Sequence, residues 1–288
     1  MEYVLLIDSC SDLPREYVEE NNIPFIGYNC NLGGKDYIDD FGKTLAYKDF
    51  YNIVRGGDMP TTAQVNVYRY AEEFKKYLKD GKGIVYICFS SALSGSYNSA
   101  LMAKEMLSEE VPNADITVID SRSASLGEGL LVHYAFELYK QGYSKEDLVN
   151  WIEENKLKIN HWFTVDDLNH LKRGGRVSSF GAAVGTILSI KPVLHVDNEG
   201  RLIPVTKVKG RKQSLRMLVD KFREMAVNPE EQVVFISHGD SLEDAKYVEK
   251  LILEEFKVKK ILINNIGPVI GTHSGPGTIA LFFMGNNR

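Results

Sequence analysis

Short apolar runs alternate with amphipathic stretches along the first half of the chain. Residues 3–7, 84–89 and 116–119 each form such a run, and each is followed by a polar turn and then a helical pattern. Pro14 fits the first of these helices, because the first helical turn tolerates proline. Strands joined by helices pair in parallel, since the helix returns the chain to the starting edge of the sheet. The pattern predicts an α/β fold with a mainly parallel sheet and helices on both faces.

The second half has a different pattern. Residues 191–196 and 201–208 flank the turn Asp197-Asn198-Glu199-Gly200, whose residue types predict a β-hairpin. Residues 211–226 carry one apolar stripe and predict an amphipathic helix. Further strand, helix and strand patterns cover residues 232–236, 241–256 and 260–263. We expect an α+β unit with a mixed sheet and helices.

The chain is long enough for two domains, each with its own apolar core. It has 288 residues, about twice the size of a typical domain. A helical pattern ends over residues 151–160, between the two halves. We therefore predict an N-terminal domain over residues 1–158 and a C-terminal domain over residues 159–288.

Composition narrows the class of function. A net charge of −5 argues against nucleic acid as the main partner. Cys10, Cys30 and Cys88 are odd in number and widely spaced, without the spacing of a zinc site. The N-terminal residues have no basic segment of a signal peptide, and no apolar run approaches the roughly 20 residues of a membrane span. We expect a cytoplasmic protein without structural metal or membrane insertion.

The segment GPVIGTHSGPGT at residues 267–278 places four glycines around His273. Glycine allows tight turns and close approach of the backbone to a ligand. The segment therefore has two interpretations. It is a binding site around the histidine, or a tight crossover in which the histidine only satisfies its neighbours.

Serine-rich turns follow the predicted parallel strands. At such strand ends, free amides and helix dipoles favour an anion, and Ser94 with Gly95 could hold two oxygens of a carboxylate or phosphate. Simple helix capping is the alternative. The turns at Asp8 and Asp120 carry their own negative charge, so capping and turn formation is the better interpretation there.

Two further polar segments are ambiguous. Residues 59–64 precede a helical pattern over 67–78, and Thr61 or Thr62 could cap that helix. Residues 171–178 place Lys172, Arg173 and Arg176 beside two glycines. These cations fit a solvated helix end, a docking surface or a phosphate site.

Seven segments taken in order carry a family resemblance. They are DSCSDLP at 8–14, PTTAQ at 60–64, SSALSGSYNSA at 90–100, DSRSASLGEG at 120–129, LKRGGRVS at 171–178, KPVLHVDNEGRL at 191–202 and IGPVIGTHSGPGT at 266–278. With these segments the chain resembles the DegV family, whose members include the fatty-acid-binding subunits of bacterial fatty acid kinases. Ala63 departs from the family pattern, since many relatives carry serine there.

The resemblance implies a two-domain α/β architecture with a long-chain fatty acid buried near the domain junction. It places carboxylate contacts on Thr61, Thr62, Ser94 and His273, and we add the neighbouring Gly95 and Ser274 to this set. A buried carboxylate needs several donors, and hydroxyls, amides and a histidine N–H supply them without a full salt bridge. Burial of about 15 methylenes contributes a gross transfer free energy of about 12 kcal/mol.

The function implied is that of a non-catalytic carrier without cofactor. It would present the carboxylate to a separate ATP-dependent fatty acid kinase, which forms an acyl phosphate on the bound lipid. Lys172, Arg173 and Arg176 are candidates for docking of that partner or for charge compensation. Transient contact with a membrane surface stays open, and no nucleic acid is expected. The aromatic-rich residues 28–51 are candidates for the tunnel wall.

Two alternatives remain open at this stage. Ser94 and His273 could serve an independent hydrolase or transferase as nucleophile and base, although no G-x-S-x-G or nucleotide-binding motif accompanies them. A regulatory protein-binding or DNA-binding module could instead use a basic cluster in the second half. Its members are Lys207, Lys209, Arg211, Lys212 and Arg216.

Overall fold

Strands and helices alternate through most of the chain. The computed structural model describes residues 2–177 and 190–288. The strands are β1 (Tyr3–Asp8), β2 (Phe25–Ile26), β3 (Asn29–Leu32), β4 (Lys35–Ile38), β5 (Thr61–Ala63), β6 (Gly83–Cys88), β7 (Ile116–Asp120), β8 (Ile159–Thr164), β9 (Ile190–Val196), β10 (Leu202–Lys209), β11 (Val233–His238), β12 (Lys260–Asn265) and β13 (Ile279–Met284). The α-helices are α1 (Arg15–Glu20), α2 (Tyr47–Arg55), α3 (Val67–Leu78), α4 (Ser96–Glu110), α5 (Leu126–Lys140), α6 (Lys145–Asn155), α7 (Asn169–Gly174), α8 (Arg211–Met225), α9 (Leu242–Glu255) and α10 (Pro268–Ser274).

The first sheet is parallel and has the order β2-β1-β6-β7. Every residue of β6 is buried, because helices cover both faces of the sheet. This burial explains why the strand reads as an uninterrupted apolar run. Helices α3 and α4 pack on one face, and α5 packs against β1 on the other. The prediction of a mainly parallel sheet with helices on both faces is confirmed.

The second sheet is mixed and has the order β10-β9-β8-β13-β11-β12. Only β11 and β12 pair in parallel, and the other four pairs are antiparallel. The predicted hairpin is the pair β9 and β10, closed by the turn at residues 197–200. The expected α+β arrangement of the second half is confirmed.

Strand β13 divides the molecule into two apolar cores. Ala280 and Phe282 face the core that contains α5, whereas Ile279, Leu281 and Phe283 face the core under α8 and α9. Side chains alternate across a strand with a period of two, so a central strand covered on both faces must be apolar at every position. Helix α5 therefore lies between the two sheets and contacts both.

A third, antiparallel sheet of order β4-β3-β5 carries part of the site. Thr61 and Thr62 lie in β5, and the helix cap that they could have formed is made by Asn66, whose side chain accepts from Arg69 N at 2.9 Å. The capping interpretation of the two threonines was therefore wrong. The helix itself, α3, covers the predicted residues.

Two other predicted elements differ from the structure. The glycine-rich segment after β12 contains a short helix, α10, which starts at Pro268 in the first turn, where a missing N–H is tolerated. The helical pattern expected over residues 151–160 ends earlier, since α6 stops at Asn155 and β8 begins at Ile159. The aspartate turns are confirmed: Asp8 Oδ1 accepts from Cys10 N at 2.9 Å, and Asp120 Oδ1 from Arg122 N at 3.0 Å.

Candidate ligand-binding site

A cavity of about 310 Å³ lies between the two larger sheets, beside α10. This volume falls in the range of roughly 300–1,000 Å³ that is typical of small-molecule sites. Most of its wall is apolar or aromatic, and residues from both halves of the chain contribute to it. Examples are Tyr28, Phe89, Phe163, Val196, Ile270 and Phe282. Such a wall suits an apolar ligand body.

A polar cluster forms where β5 meets α10. Helix α10 packs on β3 and β5, which brings Thr62 Oγ1 to 2.8 Å from His273 Nε2. Burial, and secondly the nearby Arg176 guanidinium, together lower the pKa of His273 to about 4. The imidazole is therefore neutral at pH 7. If Nε2–H donates to Thr62 Oγ1, the threonine hydroxyl keeps its own hydrogen for a ligand oxygen.

Close helix packing fixes the ring of His273. Its Nδ1 is buried and has no hydrogen-bond partner among the described residues. A Cβ on Gly174, the last residue of α7, would lie 2.2 Å from this nitrogen. Only glycine leaves room for the ring there, so Gly174 positions His273 against the cavity.

The serine turn before α4 forms a second side of the cluster. Ser94 and Gly95 line the cavity, and Gly95 is the N-cap residue of α4 without a side-chain capping bond. Ser94 Oγ donates to Ser96 Oγ at 3.0 Å and accepts from Ser96 N at 3.2 Å. A Cβ on Gly95 would lie 2.1 Å from Gln64 Oε1, so glycine allows Gln64 to reach the lining. The Ser94 hydroxyl can turn its hydrogen toward an anion.

The three cations within residues 171–178 lie in different environments. Lys172 and Arg173 are exposed on α7, and Arg173 Nη2 donates to His170 Nδ1 at 3.1 Å. Arg176 is half-buried, lines the cavity and donates through Nε to Leu93 O at 3.2 Å. Of the three candidates for charge compensation, Arg176 is therefore the one whose guanidinium lines the cavity. Ser178 lies outside the described residues.

Of the other predicted contact residues, one lines the cavity and one does not. Ser274 lines the cavity, and its Oγ is buried with no partner among the described residues. Thr61 is exposed and lies outside the wall. The structure thus brings Thr62, Ser94, Gly95, His273 and Ser274 together around the cavity, and it leaves Thr61 apart.

Sequence reasoning missed a deeper part of the wall. His161 on β8, Ser125 at the start of α5 and Ser237 on β11 line the cavity as well. A strand signal was present, since Ile159, Trp162, Phe163 and Thr164 are residue types that favour a strand. It was obscured by the helical interpretation of residues 151–160.

Buried carboxyl groups hold the first turn of α10. Asp12 Oδ1 accepts from Gly267 N at 2.9 Å, and Asp39 Oδ1 accepts from Phe41 N at 3.3 Å. Burial raises the pKa of Asp39 to about 7 and that of Asp8 to about 6. Asp12 acts as a positioning residue, because it binds Gly267, the N-cap residue of the helix that carries His273.

Two hydrogen-bond and ion-pair patterns bear on the alternative functions, which are a hydrolase or transferase and a regulatory protein-binding or DNA-binding module. In the described part of the chain, no hydrogen bond joins Ser94 to His273, since Ser94 pairs with Ser96 and His273 with Thr62. A nucleophile and its base need such a bond. In the basic cluster, Arg211 pairs with Asp244 at 2.8 Å and with Asp166, so its charge is offset locally.

Neither a membrane span nor a metal cluster occurs in residues 2–177 and 190–288. No helix there is long and apolar enough to cross a membrane. No group of three or more histidine, cysteine or acidic side chains is placed there to bind a metal ion.

The fold and the cavity define a class of protein: two stacked sheets with helices, enclosing a mainly apolar ligand site with one polar cluster. The chain belongs to the DegV family. The family model described as "Uncharacterised protein, DegV family" matches residues 3–286.

Relatives and solved structures agree with this assignment. The chain is 50% identical to a DegV domain-containing protein of Clostridium perfringens, over 100% of this chain and 99% of the relative. A DegV lipid binding protein of Thermotoga maritima has a similar structure, with a TM-score of 0.87, 29% identity and 100% coverage of both chains. DegV of Bacillus subtilis, a fatty acid binding protein, has a TM-score of 0.85 and 30% identity, over 99% of this chain and 100% of that one.

Proposed function

We propose that the protein binds a long-chain fatty acid in the cavity, with the carboxylate at Thr62, Ser94, Gly95, His273 and Ser274. The observation that supports this proposal most directly is a mainly apolar cavity with one cluster of hydroxyls, amides and a neutral histidine. The guanidinium of Arg176 offsets the charge of the carboxylate. Structural neighbours that bind lipid and fatty acid support this assignment.

The energetics favour tight retention of such a ligand. Each buried methylene contributes about 0.8 kcal/mol, so a long chain releases slowly into water. Several donors around the carboxylate compensate its loss of hydration. A ligand held in this way is handed on most readily by direct contact with a second protein.

The chemistry of the handover belongs to that partner in our proposal. The protein is a non-catalytic cytoplasmic carrier, and a separate ATP-dependent kinase forms the acyl phosphate on the bound lipid. Exposed Lys172 and Arg173 lie on α7, which packs against α10, and this position makes them candidates for kinase docking. The division into domains 1–158 and 159–288, with the site at their junction, is part of the same proposal.

The decisive experiment is denaturing extraction of the purified protein, followed by mass analysis of the organic phase. We expect saturated or unsaturated long-chain fatty acids in near-stoichiometric amount. Delipidated protein should take up added palmitate or oleate. An empty extract combined with no uptake would contradict the carrier function.

Docking is tested separately from binding. The double variant Lys172→Glu/Arg173→Glu should slow acyl phosphate formation by a fatty acid kinase and leave fatty acid affinity unchanged. Lys250→Glu on α9 is the control, since it makes the same type of charge change on an exposed helix of the other core. Equal kinase rates in wild type and in the double variant would refute docking at α7.

A further inference from the structure

One guanidinium group binds several separate segments of the chain at once. Arg288 is half-buried, and each of the five N–H donors of its side chain has an acceptor. Nε donates to Ile159 O at 3.0 Å, Nη1 to Arg122 O at 2.7 Å and Asp197 O at 3.0 Å, and Nη2 to Ser123 Oγ and Lys156 O at 3.1 Å. We call the guanidinium and these five oxygens the Arg288 clamp.

The clamp depends on the charge and the shape of arginine. Burial lowers the pKa of Arg288 to about 10, and the nearby Asp197 acts in the opposite direction, so the group is charged at pH 7. Hydrogen bonds from a charged donor are roughly twice as strong as neutral ones. Lysine has three donors on a flexible stem and lacks the planar fork, so it cannot make the same five bonds.

The clamped segments continue directly into the wall of the cavity. Three of the clamped positions lie within two residues of a lining residue: Ser123 precedes Ala124, Ile159 lies two residues before His161, and Asp197 follows Val196. The three segments belong to the turn after β7, to β8 and to the hairpin of β9 and β10. One side chain thus fixes the relative positions of three parts of the wall.

The clamp also lies where the hairpin turn meets the first sheet. Ser90 Oγ donates to Gly200 O at 3.0 Å, and Arg122 Nη1 donates to Asn198 O at 2.8 Å. Ser90 and Arg122 follow β6 and β7 of the first sheet, whereas residues 197–200 belong to the hairpin of the second sheet. Arg288 bonds to both sides of this contact, so it helps to close the gap between the two sheets.

This contact is at the closed end of the cavity. On β8, Ile159 pairs with Met284 and His161 with Phe282, whereas Thr278, just before β13, marks the α10 end. From Thr278 to Phe282 the strand direction spans roughly 13 Å at about 3.3 Å per residue.

The two ends differ in exposure. The lining residues Gln64 and Gly95, beside Ser94, are exposed, whereas Val196, His161 and Phe282 are each 2% exposed. A carboxylate at the polar cluster therefore lies at the open end, and its alkyl chain has the clamped wall ahead of it.

We propose that Arg288 is a positioning residue that sets the chain length of the fatty acid which the cavity accepts. The inference rests on the proposed fatty acid binding and specifies its substrate preference. Arg288 touches no ligand in this proposal. It acts by holding the three wall segments against a chain that is too long, since an extra methylene in a full, rigid cavity opposes binding.

The test is the affinity of delipidated protein for straight-chain saturated fatty acids from laurate to arachidate. In wild type we expect affinity to rise about fourfold for each added methylene until the cavity is full, and to fall beyond that length. Arg288→Met keeps an unbranched apolar stem and removes all five donors. Its optimum should move to a longer chain, and the first acid beyond the wild-type optimum should gain at least about fourfold relative to the wild-type optimum acid.

Arg223→Met is the matched control. Arg223 also makes several hydrogen bonds, but it joins α8 to Glu255 at the end of α9, on the other core. Its loss should leave the order and the ratios of the affinities unchanged.

The ratios separate positioning of the wall from a general loss of stability. A merely structural role would weaken all acids by a common factor, so unchanged ratios in Arg288→Met would overturn the proposal. Arg288→Lys should shift the optimum less than Arg288→Met does. If Arg288→Met does not fold, Arg288→Lys decides the question, and wild-type ratios in that variant overturn the proposal. Absence of binding of every acid by wild type would instead contradict the carrier function itself.

Discussion

At the scale of single residues, the proposed carboxylate cluster depends on a neutral histidine and a threonine. His273 contributes no charge of its own at pH 7, because burial and Arg176 hold its pKa at about 4. In the proposed site it would orient the Thr62 hydroxyl, whose oxygen lies 2.8 Å from Nε2. The cluster therefore selects a ligand by the number and direction of its hydrogen bonds.

Thr62→Val tests this orientation with little change of volume. The variant loses one hydroxyl that would donate to a charged ligand oxygen, and such a bond is worth about 1.5–3 kcal/mol. We expect fatty acid affinity to fall about 10- to 100-fold, as measured by calorimetry or by displacement of a fluorescent fatty acid.

Thr61→Val is the matched control for this change. The two threonines are neighbours in β5, but Thr61 is exposed and outside the cavity wall. We expect its affinity to match that of wild type. Equal losses in the two variants would show that the strand, and not the Thr62 hydroxyl, determines binding.

At the scale of elements, the contact of α7 with α10 aligns the cluster. Gly174 in α7 leaves the space that His273 Nδ1 occupies. Glycine usually weakens a helix relative to alanine by about 1 kcal/mol, so Gly→Ala is normally stabilising in a helix interior. We expect the opposite at position 174, because the new methyl group would overlap the ring.

Gly174→Ala should lower the free energy of unfolding by about 1–3 kcal/mol and weaken fatty acid binding. Chemical denaturation of delipidated protein and ligand titration measure the two effects. In the double variant Gly174→Ala/His273→Ala the overlap is absent, and most of the lost stability should return. A double variant as unstable as the sum of the single changes would contradict this packing argument.

The elements differ in how well the sequence predicts them. The buried strand β6 and the amphipathic helices α3 and α8 have unbroken patterns, and their predicted bounds lie within one residue of the structure. Strand β5 has three residues and little apolar content, so only its pairing with β3 defines it. Local pattern does not carry such pairing information.

The residues of the site are also only partly predictable from the sequence. The resemblance indicated Thr62, Ser94 and His273, which the fold brings to one cavity. Arg176 was one of three candidate cations, and only the packing of the chain after α7 selects it, whereas no sequence neighbour marks His161 on β8. Thr61 is exposed at the first position of β5, while Thr62 reaches His273, and this difference between neighbours becomes visible only in the fold.

At the scale of the whole molecule, buried carboxyl groups link stability to pH. Burial raises the pKa of Asp39 to about 7 from the usual value of 3.8. Between these values the folded state keeps a proton that the unfolded chain has lost, so the free energy of unfolding falls as pH rises through this window. His273 acts in the opposite direction between pH 4 and 6.5, because its pKa is lowered on folding.

Asp39→Asn isolates the carboxyl contribution, because the amide oxygen can still accept from Phe41 N. The effect of His273 is the same in both proteins and cancels in the comparison. The variant should gain stability relative to wild type between pH 5 and pH 8, on the order of 1–3 kcal/mol. Denaturant titrations at pH 5 and pH 8 measure the free energy of unfolding of both proteins. The same difference between variant and wild type at both pH values would contradict the raised pKa.

The alternation of β8 gives the molecule an intrinsic optical probe. Trp162 is one of two tryptophans and lies between His161 and Phe163, which line the cavity, while its own ring stacks on His195 in the opposite core. Its indole is thus separated from a ligand by the thickness of one strand. A ligand that displaces the cavity wall would change the emission of Trp162 without touching the indole. A Trp151→Phe protein would therefore report occupancy of the cavity through Trp162 alone, without an attached dye.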